Sequence, residues 1–228
     1  MTWIKFCGTT NAEDALACAQ SGADALGFVF APSPRSVSAQ QAQEIISRLP
    51  EEIEKVGVFV NDSAERIADV VAEAGLTAIQ LHGDESLELA RTVREMTGAK
   101  LIRAIPASLV EELADRAAGF GLVKRSTETF DALLIDSARI GDVPEGGARG
   151  GTGQTFEWDE YRDTLTLLGT QIRLVIAGGL RPENVKQAIH TLHPWGVDVV
   201  SGVESAPGVK DHQKLQQFVR EVRQVERL

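Results

Sequence analysis

Cysteine is scarce in this chain. There are two, Cys7 and Cys18, in 228 residues. That excludes a disulfide framework as the organising principle and makes a reducing compartment the natural setting. Positive charge is also short: 23 Lys and Arg stand against 33 Asp and Glu, for a net charge of −10. A non-specific grip on nucleic acid or on an anionic membrane needs the opposite balance, so neither partner is expected. A local basic pocket for a small anion is still allowed. No window approaches ~18 uninterrupted apolar residues, so no membrane span is expected. The N-terminus lacks a basic segment followed by an apolar run and a small-residue cleavage site, so no secretory leader is expected and the location should be cytoplasmic. What is present is 43% hydrophobic residues. That argues against disorder, and a chain of this length can bury a large core by itself.

Short β-like runs alternate with helical patterns along the chain. The expected strands are Trp3–Cys7, Ala25–Phe30, Lys55–Val60, Ala78–Leu81, Lys100–Ile105, Ala132–Asp136, Arg173–Ala177 and Val197–Ser201. Each is rich in Val, Ile, Leu or Phe, and most are closed by Gly, Ser, Asn or Pro. Asn11–Ser21, Ser38–Leu49, Ser63–Ala74 and Ser86–Thr97 are expected helices, each opening on a side chain that can take an unpaired backbone N–H. Pro182–His193 opens on a proline suited to a first helical turn, and Asp211–Arg223 supplies the last helix. The patterns near Ala118–Phe130 and Trp158–Leu168 are weaker.

Strands alternating with helices imply parallel strands joined by right-handed crossovers. Eight of them, spaced by roughly 25–30 residues, favour one closed (β/α)8 TIM barrel spanning 1–228. The alternative is an open doubly wound sheet, but the first turn, "CGTTNAED", lacks the glycine pattern such sheets often carry there.

In a barrel of this kind the chemistry collects at the C-terminal ends of the strands. Those ends carry Cys7, Arg35, Asn61, His82, Arg103, Asp136, "AGGL" at Ala177–Leu180 and "SGVE" at Ser201–Glu204. No His or Cys pair stands at ligand spacing, so a metal site is not indicated. Gly178, Gly179 and Gly202 follow strands seven and eight, where backbone N–H groups can approach a phosphate; Gly153 adds a flexible loop after strand six. Any one of these glycines could simply make a turn. Together, at neighbouring strand ends, they point to a phosphate cradle.

Cys7 alone would be a small buried hydrophobe, and Asp136 alone a loop cap. Facing one another across a barrel mouth, a thiolate and a carboxylic acid can take a proton from one side of a substrate and give one to the other. Lys5 shares the strand parity of Cys7, so it should point into the barrel. A buried ammonium needs an acidic partner, Asp198 or Asp136, and could lower the thiol pKa. Arg35, in "APSPRSV", can read a carboxylate bidentately or lie solvated on its loop. His82 is a candidate wall for a substrate ring or a satisfied loop histidine. Cys18 is expected to pack in the core.

The order of these stretches closely resembles the phosphoribosylanthranilate isomerase family of tryptophan biosynthesis. The resemblance is carried by "IKFCGTTNAEDA", "SGADALGFVFAPSPRSV", "VGVFVN", "QLHGDE", "LLIDS", "GGTGQTFEW", "AGGLRPENV" and "GVESAPGVKD". "AGGL" alone is weak, because other phosphate-binding barrels share it. The joint occurrence of the Cys-Gly start, "QLHG" and "GGTG…F-W" is specific. The resemblance implies an Amadori rearrangement of a phosphosugar-anthranilate substrate without a cofactor, in a monomer or homodimer. It implies Cys7 as general base, Asp136 as general acid, Arg35 at the anthranilate carboxylate and the glycine-rich ends at the phosphate. The family's strand eight usually reads Ser-Ser-Gly; here it is Val200-Ser201-Gly202, which removes one hydroxyl. Another phosphosugar barrel, such as a pentose-phosphate epimerase or indole-glycerol-phosphate synthase, and a non-catalytic phosphosugar sensor are the competing readings. The epimerase would show metal-binding His and Asp at strand ends, the synthase catalytic Lys and Glu, and a sensor need not keep both Cys7 and Asp136.

Overall fold

The computed structural model describes residues 1–110, 128–137 and 155–225. Eight parallel strands close into a barrel in chain order. They are β1 (Trp3–Phe6), β2 (Ala25–Val29), β3 (Glu54–Phe59), β4 (Ala78–Leu81), β5 (Lys100–Pro106), β6 (Ala132–Asp136), β7 (Arg173–Ile176) and β8 (Gly196–Val199). Among the described residues the helices are α1 (Ala12–Ser21), α2 (Ala39–Ile46), α3 (Ala64–Ala74), α4 (Leu87–Thr97), α5 (Trp158–Gly169), α6 (Val185–Leu192) and α7 (His212–Val225). A small antiparallel hairpin, β9 (Glu204–Ala206) and β10 (Val209–Lys210), stands between β8 and α7.

Helix starts follow cap chemistry. Asn11, Ser38, Ser63 and Ser86 each accept the backbone N–H three residues on, and Ser38 forms a reciprocal box with Gln41. Each such cap is worth about 1 kcal/mol. Pro182 departs from expectation. It lies in a turn before α6, not in its first helical turn, because the Asn184 carboxamide accepts the Arg181 N–H and donates to the Gly179 carbonyl, holding the chain in a loop until Val185. The expected fifth helix near Ala118–Phe130 lies largely outside the described residues.

Two apolar layers result. Side chains facing outward from the strands meet the helices in the larger layer, where Cys18, Phe28, Leu81 and Phe218 are fully buried. The barrel lumen is filled by small or branched residues such as Ala25, Val56, Ala78, Ala132 and Val175. The register places polar residues in that same lumen. Lys5 lies opposite both Ala25 and Asp198, and Gln80 lies opposite Val58 and Ile102. A smaller cluster of Cys7, Val29, Ala31 and Val58 closes the lumen near its C-terminal mouth.

Candidate active site

The first strand ends at Phe6, so Cys7 is the first residue past it, held by its own N–H to the Val199 carbonyl at 3.0 Å. Its thiol needs room from β2. A Cβ built on Gly27 would come within 2.5 Å of the Cys7 sulfur, so only glycine at 27 admits the side chain there. Beneath the thiol, Lys5 Nζ meets Asp198 Oδ1 at 3.0 Å, with both side chains out of solvent. Of the two acids open to it, Lys5 therefore pairs with Asp198. Burial works against the Lys5 charge, but the Asp198 carboxylate opposes it, and the ammonium pKa stands above its ordinary value.

The thiol itself departs from expectation. Burial pushes the Cys7 pKa up, and Asp198 adds to that; the opposing pull of Lys5 and Lys210 is outweighed. Lys5 favours the thiolate as anticipated, yet the resting site keeps the proton on sulfur. Burial also lifts the pKa of Cys18, on α1, to about 12, so it is an inert core group.

Asp136 ends β6 and is buried. One oxygen, Oδ2, lies 3.6 Å from His82 Nε2. The other His82 nitrogen, Nδ1, is 2.8 Å from the Gln80 amide nitrogen. An amide N–H donates, so Nδ1 accepts and the imidazole proton sits on Nε2, facing Asp136. His82 thus stands beside Asp136. The turn that carries it is fixed by Glu85, whose carboxylate accepts the N–H groups of Asn61 and Gly83 and the Arg103 guanidinium.

Arg35 lies across the loop after β1. A Cβ on Gly8 would come within 2.6 Å of Arg35 Cδ, and Gly8 has φ +74°, a left-handed backbone that glycine adopts without strain. The Cys-Gly pair thus serves both the thiol and the arginine beside it. The Arg35 guanidinium donates from Nε to Glu204 Oε1 at 2.9 Å and from Nη2 to Oε2 at 2.7 Å. The edge formed by Nη1 and the second Nη2 proton is a further parallel pair of donors, the shape a carboxylate accepts.

The glycine-rich ends converge. Gly178 has φ +82°, and a Cβ there would strike Ser137 Oγ at 2.2 Å; a Cβ on Gly202 would strike the Leu180 carbonyl oxygen at 1.9 Å. Ser137, just past β6, and the turns after β7 and β8 are therefore packed closely against one another. A short 3₁₀ turn, Ser201–Val203, starts directly after β8. Gly179, next to Gly178 after β7, takes φ +62°. Gly153 lies outside the described residues.

Several contributors lay inside motifs without a role read from the sequence: Gln80 and Glu85 in "QLHGDE", and Glu204 and Lys210 in "GVESAPGVKD". Asp198 was legible as a charge on a buried strand and as one of two acids open to Lys5. Gly27 could have been suspected from a glycine breaking the apolar run "ALGFVF".

With that geometry in place, comparison with known proteins is decisive. The family model for N-(5'-phosphoribosyl)anthranilate isomerase matches residues 4–221. The chain belongs to this family. An N-(5'-phosphoribosyl)anthranilate isomerase of Chlorobaculum parvum is 43% identical over 236 residues, covering 100% of this chain and 98% of that protein. A crystal structure of a phosphoribosyl anthranilate isomerase in complex with reduced 1-(o-carboxyphenylamino)-1-deoxyribulose 5-phosphate superposes with a TM-score of 0.77 at 39% identity, covering 98% of this chain and 100% of that one. Engineered monomers of the dimeric isomerase from Thermotoga maritima give a TM-score of 0.76 at 37% identity, again over 98% and 100% of the two chains. Among the described residues no helix is long and apolar enough to cross a membrane.

Proposed function

We propose that this chain, as one catalytic domain over 1–228, isomerises N-(5-phospho-β-D-ribosyl)anthranilate to 1-(2-carboxyphenylamino)-1-deoxy-D-ribulose 5-phosphate, with Cys7 as base and Asp136 as acid. The observation that carries the assignment of roles is the pair of rim positions. Cys7 follows β1 in space cleared by Gly27, and Asp136 closes β6 beside the His82 N–H.

Asp136, protonated, gives its proton to the furanose ring oxygen. The C1′–O bond breaks and the anthranilate nitrogen lone pair forms the iminium. The His82 N–H faces the carboxylate that this step leaves behind. The iminium makes the C2′ hydrogen acidic, and the Cys7 thiolate removes it. The resulting enolamine tautomerises to the ketose. Burial works against this base, so the step draws on the minority thiolate form that Lys5 favours.

Arg35 takes the anthranilate carboxylate on its free edge. The packed turns at Gly178, Gly179, Ser201 and Gly202 hold the phosphate through backbone N–H groups. The crystallographic relative whose bound ligand is a reduced deoxyribulose 5-phosphate supports a phosphosugar in the corresponding place. The dimeric Thermotoga relative supports a homodimer as one of the two assembly states open to this chain. A cytoplasmic location fits a biosynthetic step of this kind.

The test is a fluorescence assay for loss of phosphoribosylanthranilate made in situ. Turnover that depends on the chain is expected. A folded protein with no turnover would leave a phosphosugar-binding barrel without this chemistry.

A further inference from the structure

The hairpin β9–β10 brings two buried charges over the first loop. Glu204 opens it and Lys210 closes it, and both side chains are nearly free of solvent contact. The Glu204 carboxylate receives the Arg35 guanidinium at 2.7–3.1 Å. It also receives Lys210 Nζ at 3.2 Å and the Gly208 N–H at 3.3 Å. Lys210 Nζ in turn donates to the Cys7 carbonyl at 2.6 Å, and its backbone N–H donates to Asp14 on α1. One carboxylate is thus tied to the arginine, to the lysine and, through that lysine, to the main chain of the thiol-bearing residue.

We infer that Glu204 is a positioning residue for carboxylate recognition: it holds the Nε edge of Arg35 so that the opposite edge meets the substrate carboxylate beside Cys7. This rests on the assignment of Arg35 made above. Glu204 holds the guanidinium by three contacts while Gly8 lies under the aliphatic stem, so removing the carboxylate frees the head group. Burial by itself would favour the protonated Glu204 carboxyl, but Arg35 and Lys210 outweigh it and hold the group charged. The arrangement is therefore set before substrate arrives. A pre-oriented guanidinium loses less side-chain freedom on binding than one that must be found.

The test compares two substrates, the natural one and the same phosphoriboside built on aniline, which lacks the carboxylate. Wild type should discriminate between them through KM. Glu204→Gln keeps the side-chain volume and one acceptor but not the charged fork. It is expected to raise KM for the carboxylated substrate about tenfold. KM for the aniline compound and kcat for both should change by less than about threefold. Arg35→Met should remove the same discrimination, and the double variant should remove no more. If Glu204→Gln lacks the wild-type circular dichroism spectrum, Glu204→Asp carries the same reading. It retains the charge but is one methylene too short for the fork, and it should lose part of the discrimination.

Equal effects on both substrates, or no effect on either, in a folded Glu204 variant would overturn the inference. If Arg35→Met abolishes discrimination and the Glu204 variant preserves it, the inference fails alone. If Arg35→Met also preserves it, the assignment of Arg35 fails, and the inference with it.

Discussion

The two ends of the barrel handle charge differently, although Lys55 is buried at the N-terminal end, where it donates to the Pro50 and Glu51 carbonyls. At the N-terminal end, Lys100 pairs with Glu54 and Arg94 with Asp131 on partly exposed side chains, and Trp3 stacks on Trp195 at 5.0 Å with Arg173 over the same ring. At the C-terminal end and just below it, Lys5, Asp198, Glu204 and Lys210 are buried. Exposed pairs contribute little to stability, whereas buried ions are costly unless fully partnered. A fold that needed only stability would have no reason to concentrate buried charge at one end. The difference marks the end where the protein binds a charged molecule and moves protons.

The sharpest break in that comparison comes from the thiols. Cys7→Ala should abolish turnover with little loss of fold or binding, and Cys7→Ser should do nearly the same, since a hydroxyl is far too weak a base at neutral pH. Cys18→Ala should keep most of its activity. Steady-state kinetics on the three variants decides it: Cys7 variants within tenfold of wild type would remove it from the base role, and a dead but folded Cys18→Ala would transfer suspicion to the other thiol.

Stability should divide along the same line. Lys5→Met leaves Asp198 buried without its partner and is expected to cost about 3–5 kcal/mol in denaturant unfolding. Acid should act mainly through the C-terminal end as well. Burial raises the Glu204 and Asp14 carboxyls, but hydrogen bonds from Arg35 and Lys210, and from Lys210, Asn11 and His212, outweigh it and hold both below their ordinary values of 4.5 and 3.8. A depressed carboxyl contributes stability that is fully present above its unfolded value and is lost as pH falls through its folded one. Melting temperature should therefore decline below about pH 4.5, and the decline should shrink in Glu204→Gln; a profile identical in both proteins would count against it. Lys100→Ala, at the other end, should cost only about 0.2–1 kcal/mol and leave kcat/KM unchanged.

Much of this was legible in the sequence because it is local. Apolar runs and cap residues set the eight strands and most helix starts to within a residue or two, and the strand-end motifs carried Cys7, Asp136, Arg35 and His82. What was not legible depends on barrel closure. Lys5 finds Asp198 only because β8 pairs back onto β1, and Glu204 reaches Arg35 only because the hairpin folds over the first loop. Pro182 misled because a side chain two residues later holds the turn. The thiol pKa misled because a nearby cation was visible in the sequence and the depth of burial was not.

The central claim is a pair of opposed proton roles, and the pH dependence of kcat/KM tests it most directly. The free-residue values, ~8.5 for a thiol and ~3.9 for an aspartic acid, run opposite to the need for one ionised Cys7 and one protonated Asp136. The wild-type profile should be bell-shaped, its height set by the minority form in which Cys7 is ionised and Asp136 protonated. In Asp136→Asn the rate should drop heavily and the falling limb should disappear. An Asp136→Asn protein with a near-normal rate and an unchanged profile would contradict the acid assignment and the two-residue mechanism with it.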